Sequence, residues 1–158
     1  MIFKFSSLVV FCFVLCMNFE IDAQGMKVKN NPEFKAIHTV MLSYVEALYE
    51  ADTVKIIKSV HPALRKIGYW FNAGDKKYRD NLPMTFTQLK NLSASWNLDG
   101  NNANEKSIKE AVIYEINDRT ASGKVEAVWG VDYMHLAKLD GEWKIMNIIW
   151  QSRPEREN

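Results

Sequence analysis

Tyr44, Asp132 and His61 are the side chains whose types fit acid–base chemistry on a small, mainly apolar molecule. Tyr44 falls within a run where Phe34, Ile37, Met41, Tyr44, Val45 and Leu48 recur at helical spacing, so it lies on an apolar helix face. There it is either a core aromatic whose hydroxyl meets a backbone group, or a hydroxyl donor turned toward a ligand. Asp132 is expected to share a sheet face with Met134, Leu136 and Ile149. Such surroundings raise a carboxyl pKa and turn the neutral acid into a hydrogen-bond donor. The alternative is a sheet-end aspartate bonded to a backbone amide. His61 precedes Pro62, and imidazole titrates near neutral pH, which suits a general base. The alternative, which the position favours, is a helix C-terminal histidine that satisfies a carbonyl.

The other polar candidates are weaker. His135 stands three residues from Asp132 on one strand, an odd spacing that points the two to opposite faces. His38 follows Phe34 by four residues and fits a surface group. Asn147 offers a donor and an acceptor if it faces Met134 across a hairpin. The three histidines sit on separate elements without HxxxH or HExxH spacing, so no metal site and no cofactor are expected. There is no GxSxG elbow, phosphate-cradling glycine loop or dinucleotide fingerprint.

These residues depend on one hairpin for their placement. Asp140-Gly141 lies between two runs rich in β-branched and aromatic residues, the pattern of a type I′ turn. A two-residue turn pairs Leu139 with Glu142, Leu136 with Ile145, His135 with Met146, Tyr133 with Ile148 and Val131 with Trp150. Trp129, Tyr133, His135, Met146, Ile148 and Trp150 then share one face, and Asp132, Met134 and Asn147 the other. Neither face is polar, so both should be covered. One would meet the chain's own helices, the other a second copy in a two-fold homodimer. A bulge would exchange the two sets beyond it.

Residues 1–23 read as a cleavable signal peptide: Lys4 precedes an apolar run from Leu8 to Met17, too short for the roughly 20 residues of a membrane span. The expected localisation is therefore exported, periplasmic or secreted. Both cysteines, Cys12 and Cys16, fall in that segment, so the mature domain has no disulfide. Without Lys4, Glu20 and Asp22 the chain keeps 19 basic and 17 acidic residues, a balance that suggests neither nucleic acid nor an anionic membrane as partner. One domain is expected over 26–152, with a charged tail at 153–158. Asn31 with Pro32 opens a first helix that runs to about Glu50, and Asp52 or Thr53 caps a short second one. Residues 63–72 and 76–82 form a hairpin, and Thr85 with Gln88 a capping box for a third helix to about Trp96. A polar, mobile loop spans 97–106, a strand 108–117 and a turn 119–123.

This α+β order, with YVEALYEAD at 44–52, VHP at 60–62 and VDYMHLAKLDGEWKI at 131–145, resembles the nuclear transport factor 2-like superfamily. Within it the chain looks closest to bacterial proteins labelled lumazine-binding, and more distantly to SnoaL-like cyclases and ketosteroid isomerases. The resemblance implies a cone-shaped, strongly curved antiparallel sheet around about three helices, a cystatin-like α+β roll with a pocket at its wide end. It places Tyr44 where the isomerases keep an oxyanion-binding tyrosine and Asp132 near their second, protonated acid. Their proton-abstracting acid would fall near Gly68, and residues 63–72 contain no Asp or Glu. The leading expectation is thus a non-catalytic binder of a small apolar or aromatic molecule, lined by Tyr44, His61, Trp70, Asp132, Met134 and Asn147. One rival is a SnoaL-like or isomerase-type enzyme using Tyr44, Asp132 and His61. Another is a structural or adaptor module whose cone is filled.

Overall fold

The computed structural model describes residue 25 and residues 27–153. The expected signal peptide and residues 154–158 of the expected tail lie outside the described residues. Among the described residues, the helices α1 (Phe34–Tyr49), α2 (Thr53–Ser59) and α3 (Phe86–Ser93) accompany six strands. These are β1 (Val60–Asn72), β2 (Lys77–Met84), β3 (Lys109–Ile116), β4 (Thr120–Ala127), β5 (Gly130–Leu139) and β6 (Glu142–Ser152). They form one sheet in the order β2-β1-β6-β5-β4-β3. Every neighbouring pair is antiparallel except β1 with β6. No described helix is long and apolar enough to cross a membrane.

The local signals explain the helix starts. Asn31 Oδ1 accepts the Glu33 N–H at 2.9 Å, closing the turn from which α1 starts. Asp52 accepts the Val54 N–H at 2.8 Å and caps α2. Thr85 and Gln88 form the reciprocal capping box ahead of α3. Ile37, Met41, Tyr44, Val45 and Leu48 of α1 are buried on the concave face of the sheet. At about 1.5–3 kcal/mol for each large apolar side chain, this stripe is a major source of the domain's stability.

Of the expected turn at 119–123 only Arg119 lies in the connection after β3; residues 120–123 begin β4, whose Ala121, Gly123, Val125 and Ala127 alternate inward. Small residues, which suggested a turn in the sequence, are needed here because α1 lies close: a Cβ on Gly123 would stand 2.8 Å from Met41 Cε. Residues 97–106 are tied down rather than loose. Buried Asn97 donates to Tyr49 O at 2.7 Å and Ala103 O at 2.9 Å, and accepts the backbone N–H groups of Asn102 and Ala103.

The hairpin of β5 and β6 begins in the expected register, Leu139 opposite Glu142 and Leu136 opposite Ile145. Asp140 and Gly141 both have positive φ, as a type I′ turn requires. A bulge at Met146 then shifts the pairing, so His135 faces Asn147, Met134 faces Ile148, Tyr133 faces Ile149 and Asp132 faces Trp150. Beyond it the faces are exchanged, because one extra residue reverses every later side chain of β6. Ile148 is fully buried in the core and Trp150 turns inward, where an outer-face position was expected. Trp129 also leaves the outer face: it sits in the short connection between β4 and β5 and packs against the core. Asn147 moves the other way and donates to Arg65 O at 3.2 Å. Tyr133 and His135 are exposed on the convex face as expected.

Candidate functional site

Under α1, strand β1 carries Leu64, Lys66 and Gly68 inward in alternation. Lys66 is therefore a charged group placed inside the sheet's curve, only 6% exposed. Across β6, Asp132 of β5 is fully buried. The Lys66 ammonium donates to Asp132 Oδ1 at 2.8 Å and to the Tyr44 hydroxyl at 2.7 Å. The Tyr44 hydroxyl donates to the same Oδ1 at 3.3 Å, and the Trp129 indole N–H donates to Oδ2 at 2.6 Å. Three donors thus converge on one carboxylate, and an ion pair replaces the neutral carboxyl donor expected from the sequence.

Burial pushes the Tyr44 hydroxyl pKa well above its ordinary value, and the neighbouring Asp132 charge pushes the same way. Burial also lowers the Lys66 pKa, against the opposing pull of Asp132. The Lys66 ammonium lies 5.3 Å from the Tyr44 ring centre and 5.4 Å from that of Trp150. Trp150 in turn needs Gly68 opposite it: a Cβ there would be 1.9 Å from the indole nitrogen. That N–H is buried and has no partner among the described residues, at a cost of about 1–3 kcal/mol.

The cluster forms the floor of a cavity of about 100 Å³. Tyr44, Lys66, Trp129 and Trp150 line that floor; Leu48, Met84, Leu89, Leu92 and Trp96 form the walls. The aromatic side is braced. Trp129 meets Tyr44, Tyr49 and Trp96 edge-on at ring separations of 6.3, 5.7 and 5.2 Å. The Tyr49 hydroxyl accepts the Val128 N–H at 2.9 Å and donates to Ile108 O at 2.6 Å, fixing the connection that carries Trp129. A larger cleft of about 410 Å³ lies beside Glu46, Glu50 and Lys109. Glu46, Glu50 and Lys109 are already held in ion pairs among themselves and with Lys55, and most of the side chains that line the cleft are polar, so the smaller, apolar-walled cavity is the better ligand site.

Of the expected ligand residues, Tyr44 lines this cavity and Asp132 lies behind it, bonded to three of its neighbours. His61 is elsewhere: its Nδ1 accepts the Ala63 N–H at 3.1 Å, a local turn contact, and it does not line the cavity. Trp70 is 46% exposed near the far end of β1, Met134 is sealed in the core, and Asn147 is on the convex face. The acid–base set of Tyr44, Asp132 and His61 is therefore not assembled in one cavity. Lys66, Trp129 and Trp150 were missed. The signal for Lys66 was the alternation Leu64, Lys66, Gly68; lysine is so seldom buried that its type outweighs its position. Among the described residues, no three His, Cys, Asp or Glu side chains are grouped to hold a metal.

The fold is that of nuclear transport factor 2-like proteins. An NTF-2 like protein of unknown function from Silicibacter pomeroyi superposes with a TM-score of 0.56 at 15% identity, covering 77% of this chain and 96% of that one. An NTF2-like protein from Methylobacillus flagellatus gives 0.55 at 21% identity, over 79% and 95%. A ketosteroid isomerase-like protein from Erwinia carotovora atroseptica gives 0.51 at 15% identity, over 78% and 98%. The family described as "Putative lumazine-binding" matches residues 32–151, and the chain belongs to it. No curated protein matches the chain.

Proposed function

We propose that this protein is an exported binder of a small, mainly apolar ring compound, held between α1, α3 and the sheet and acting without catalysis. The observation that carries this reading is the cavity itself, with apolar walls over a polar floor whose ionised groups already neutralise each other. Pockets of this kind, apolar with a few fixed polar groups, are the usual form of small-molecule sites. The family description, lumazine-binding, supports a small ring as ligand. At about 100 Å³ the cavity is well below the roughly 300–1,000 Å³ of drug-sized sites, which limits a fully enclosed ligand to about one ring.

The isomerase-type alternative keeps Tyr44 and Asp132 adjacent but lacks His61, and the floor leaves spare only donors, the Trp150 N–H and one N–H of Lys66. A catalytic base needs hydrogen-bond reach of its substrate. A structural or adaptor role goes with a cone filled by side chains, and the cavity of about 100 Å³ argues against it. Export rests on the apolar run ahead of residue 24; periplasmic material whose first residue lies near Gln24 is the expected result, and uncleaved cytosolic protein would overturn it. The convex apolar face supports a two-fold homodimer. Thermal-shift and native mass-spectrometry screening against single-ring compounds, pterins, flavins and lipophilic metabolites tests the binding function. Single-ring ligands should raise the melting temperature by mass action. If no member of such a panel binds, the reading fails.

A further inference from the structure

We propose that the cavity selects an uncharged ring bearing a carbonyl-type oxygen, and that this oxygen accepts the third N–H of Lys66. The inference rests on the binding function proposed above and names the chemistry of its ligand. An ammonium has three donors. Two of those on Lys66 go to Tyr44 and Asp132. The third has no protein acceptor among the described residues and belongs to a side chain that lines the cavity. A ligand oxygen meeting it would satisfy a donor that the apolar walls cannot.

Charge decides what kind of oxygen it is. Lys66 and Asp132 lie 2.8 Å apart, so their opposite charges largely cancel at the floor. A carboxylate ligand would bring a second negative charge beside Asp132 with one cation for both. Burying an unbalanced charge is strongly unfavourable. A cationic ligand would meet the Lys66 ammonium, which lines the cavity while Asp132 does not. A pure hydrocarbon would leave the third N–H without an acceptor. A neutral carbonyl avoids all three penalties. Size sets the remainder: a dry cavity of about 150 Å³ accepts benzene, so about 100 Å³ with an open side suits one six-membered ring.

Three compounds built on one six-membered ring separate these cases: cyclohexanone and methylenecyclohexane, of nearly equal shape, and the charged cyclohexanecarboxylate. Calorimetry on the mature wild-type protein gives their affinities. The carbonyl stretch of bound cyclohexanone then reports its surroundings without any mutation. We expect the carboxylate to bind least and the ketone stretch to stay at or below its frequency in water, although water has been left behind. The double variant Lys66→Met/Asp132→Leu, which removes both charges together, should lower the preference for ketone over alkene about tenfold, the worth of one hydrogen bond to a charged donor. A bound ketone whose stretch returns to its value in hexane, or a carboxylate that binds tightest, overturns this inference while ring binding stands. Failure of all three compounds to bind overturns it together with the binding function for rings of this size.

Discussion

Lys66 and Asp132 are worth more as a pair than either is alone. A buried ion pair gains little over well-packed apolar groups, yet removal of one partner leaves the other charge stranded, at a cost of about 3–5 kcal/mol. Lys66→Met should therefore destabilise the domain by that amount in urea denaturation, and the double variant Lys66→Met/Asp132→Leu should recover most of the loss. Equal losses in the two variants would show that the ion pair is not what the site depends on. Tyr44 adds a pH dependence of defined sign. Its folded pKa is raised well above 10.0, so above pH 10 the unfolded chain loses a proton that the folded chain keeps. The stability contributed by Tyr44 is fully present below pH 10 and is lost as pH rises toward the folded value. Lys66, lowered from 10.5, acts in the opposite direction over an overlapping window. The comparison must therefore be with Tyr44→Phe: wild-type stability should fall more steeply above pH 10 than that of the variant. Parallel curves would contradict the assignment.

On the scale of elements, the site depends on how β1 and β6 lie against each other. Trp150 occupies the space left by Gly68, so Gly68→Ala would place a carbon inside the indole. Overpacking of this kind costs about 1–3 kcal/mol, and the indole's easiest escape is into the cavity. The variant should melt at a lower temperature and lose ring binding together; unchanged binding would mean that Trp150 does not shape the cavity. Much of this architecture was legible in the sequence. Asp140-Gly141, the caps at Asp52 and Thr85, and the apolar stripe of α1 carry local chemistry that fixes geometry within a few residues. The bulge at Met146 was not, because no residue type is required there, yet it decides which face Ile148 and Trp150 occupy. Two errors of placement follow from it: Asn147 was placed inward and Trp150 outward, while Tyr44 and Asp132, which are not on β6, do face inward. Trp129 was assigned to a strand because valines surround it, although the chain turns at that point.

For the whole molecule, the bulge changes which residues could join two copies but keeps an apolar convex face. In register across the sheet run Val112, Lys124, Tyr133, Ile149 and Ile67, one from each of five neighbouring strands. The four apolar members are between 39% and 52% exposed, and Lys124 is drawn aside by its 2.5 Å contact with Glu126. Four large apolar side chains in one row, interrupted only by Lys124, are more than a monomer usually leaves in water. A two-fold rotation lays such a row against its own copy, as an isologous interface requires. No described helix covers it, since α1 packs on the concave side. We therefore expect the mature protein to be a dimer by light scattering at micromolar concentration. Tyr133→Asp, with its charge at the centre of the row, should give a monomer with an intact cavity and unchanged ring binding. Ile148→Asp should instead unfold the domain, because that side chain is in the core. A wild-type monomer, or a dimer indifferent to Tyr133→Asp, would place the interface elsewhere. Dissociation with loss of ligand binding would mean that the partner copy helps to form the cavity.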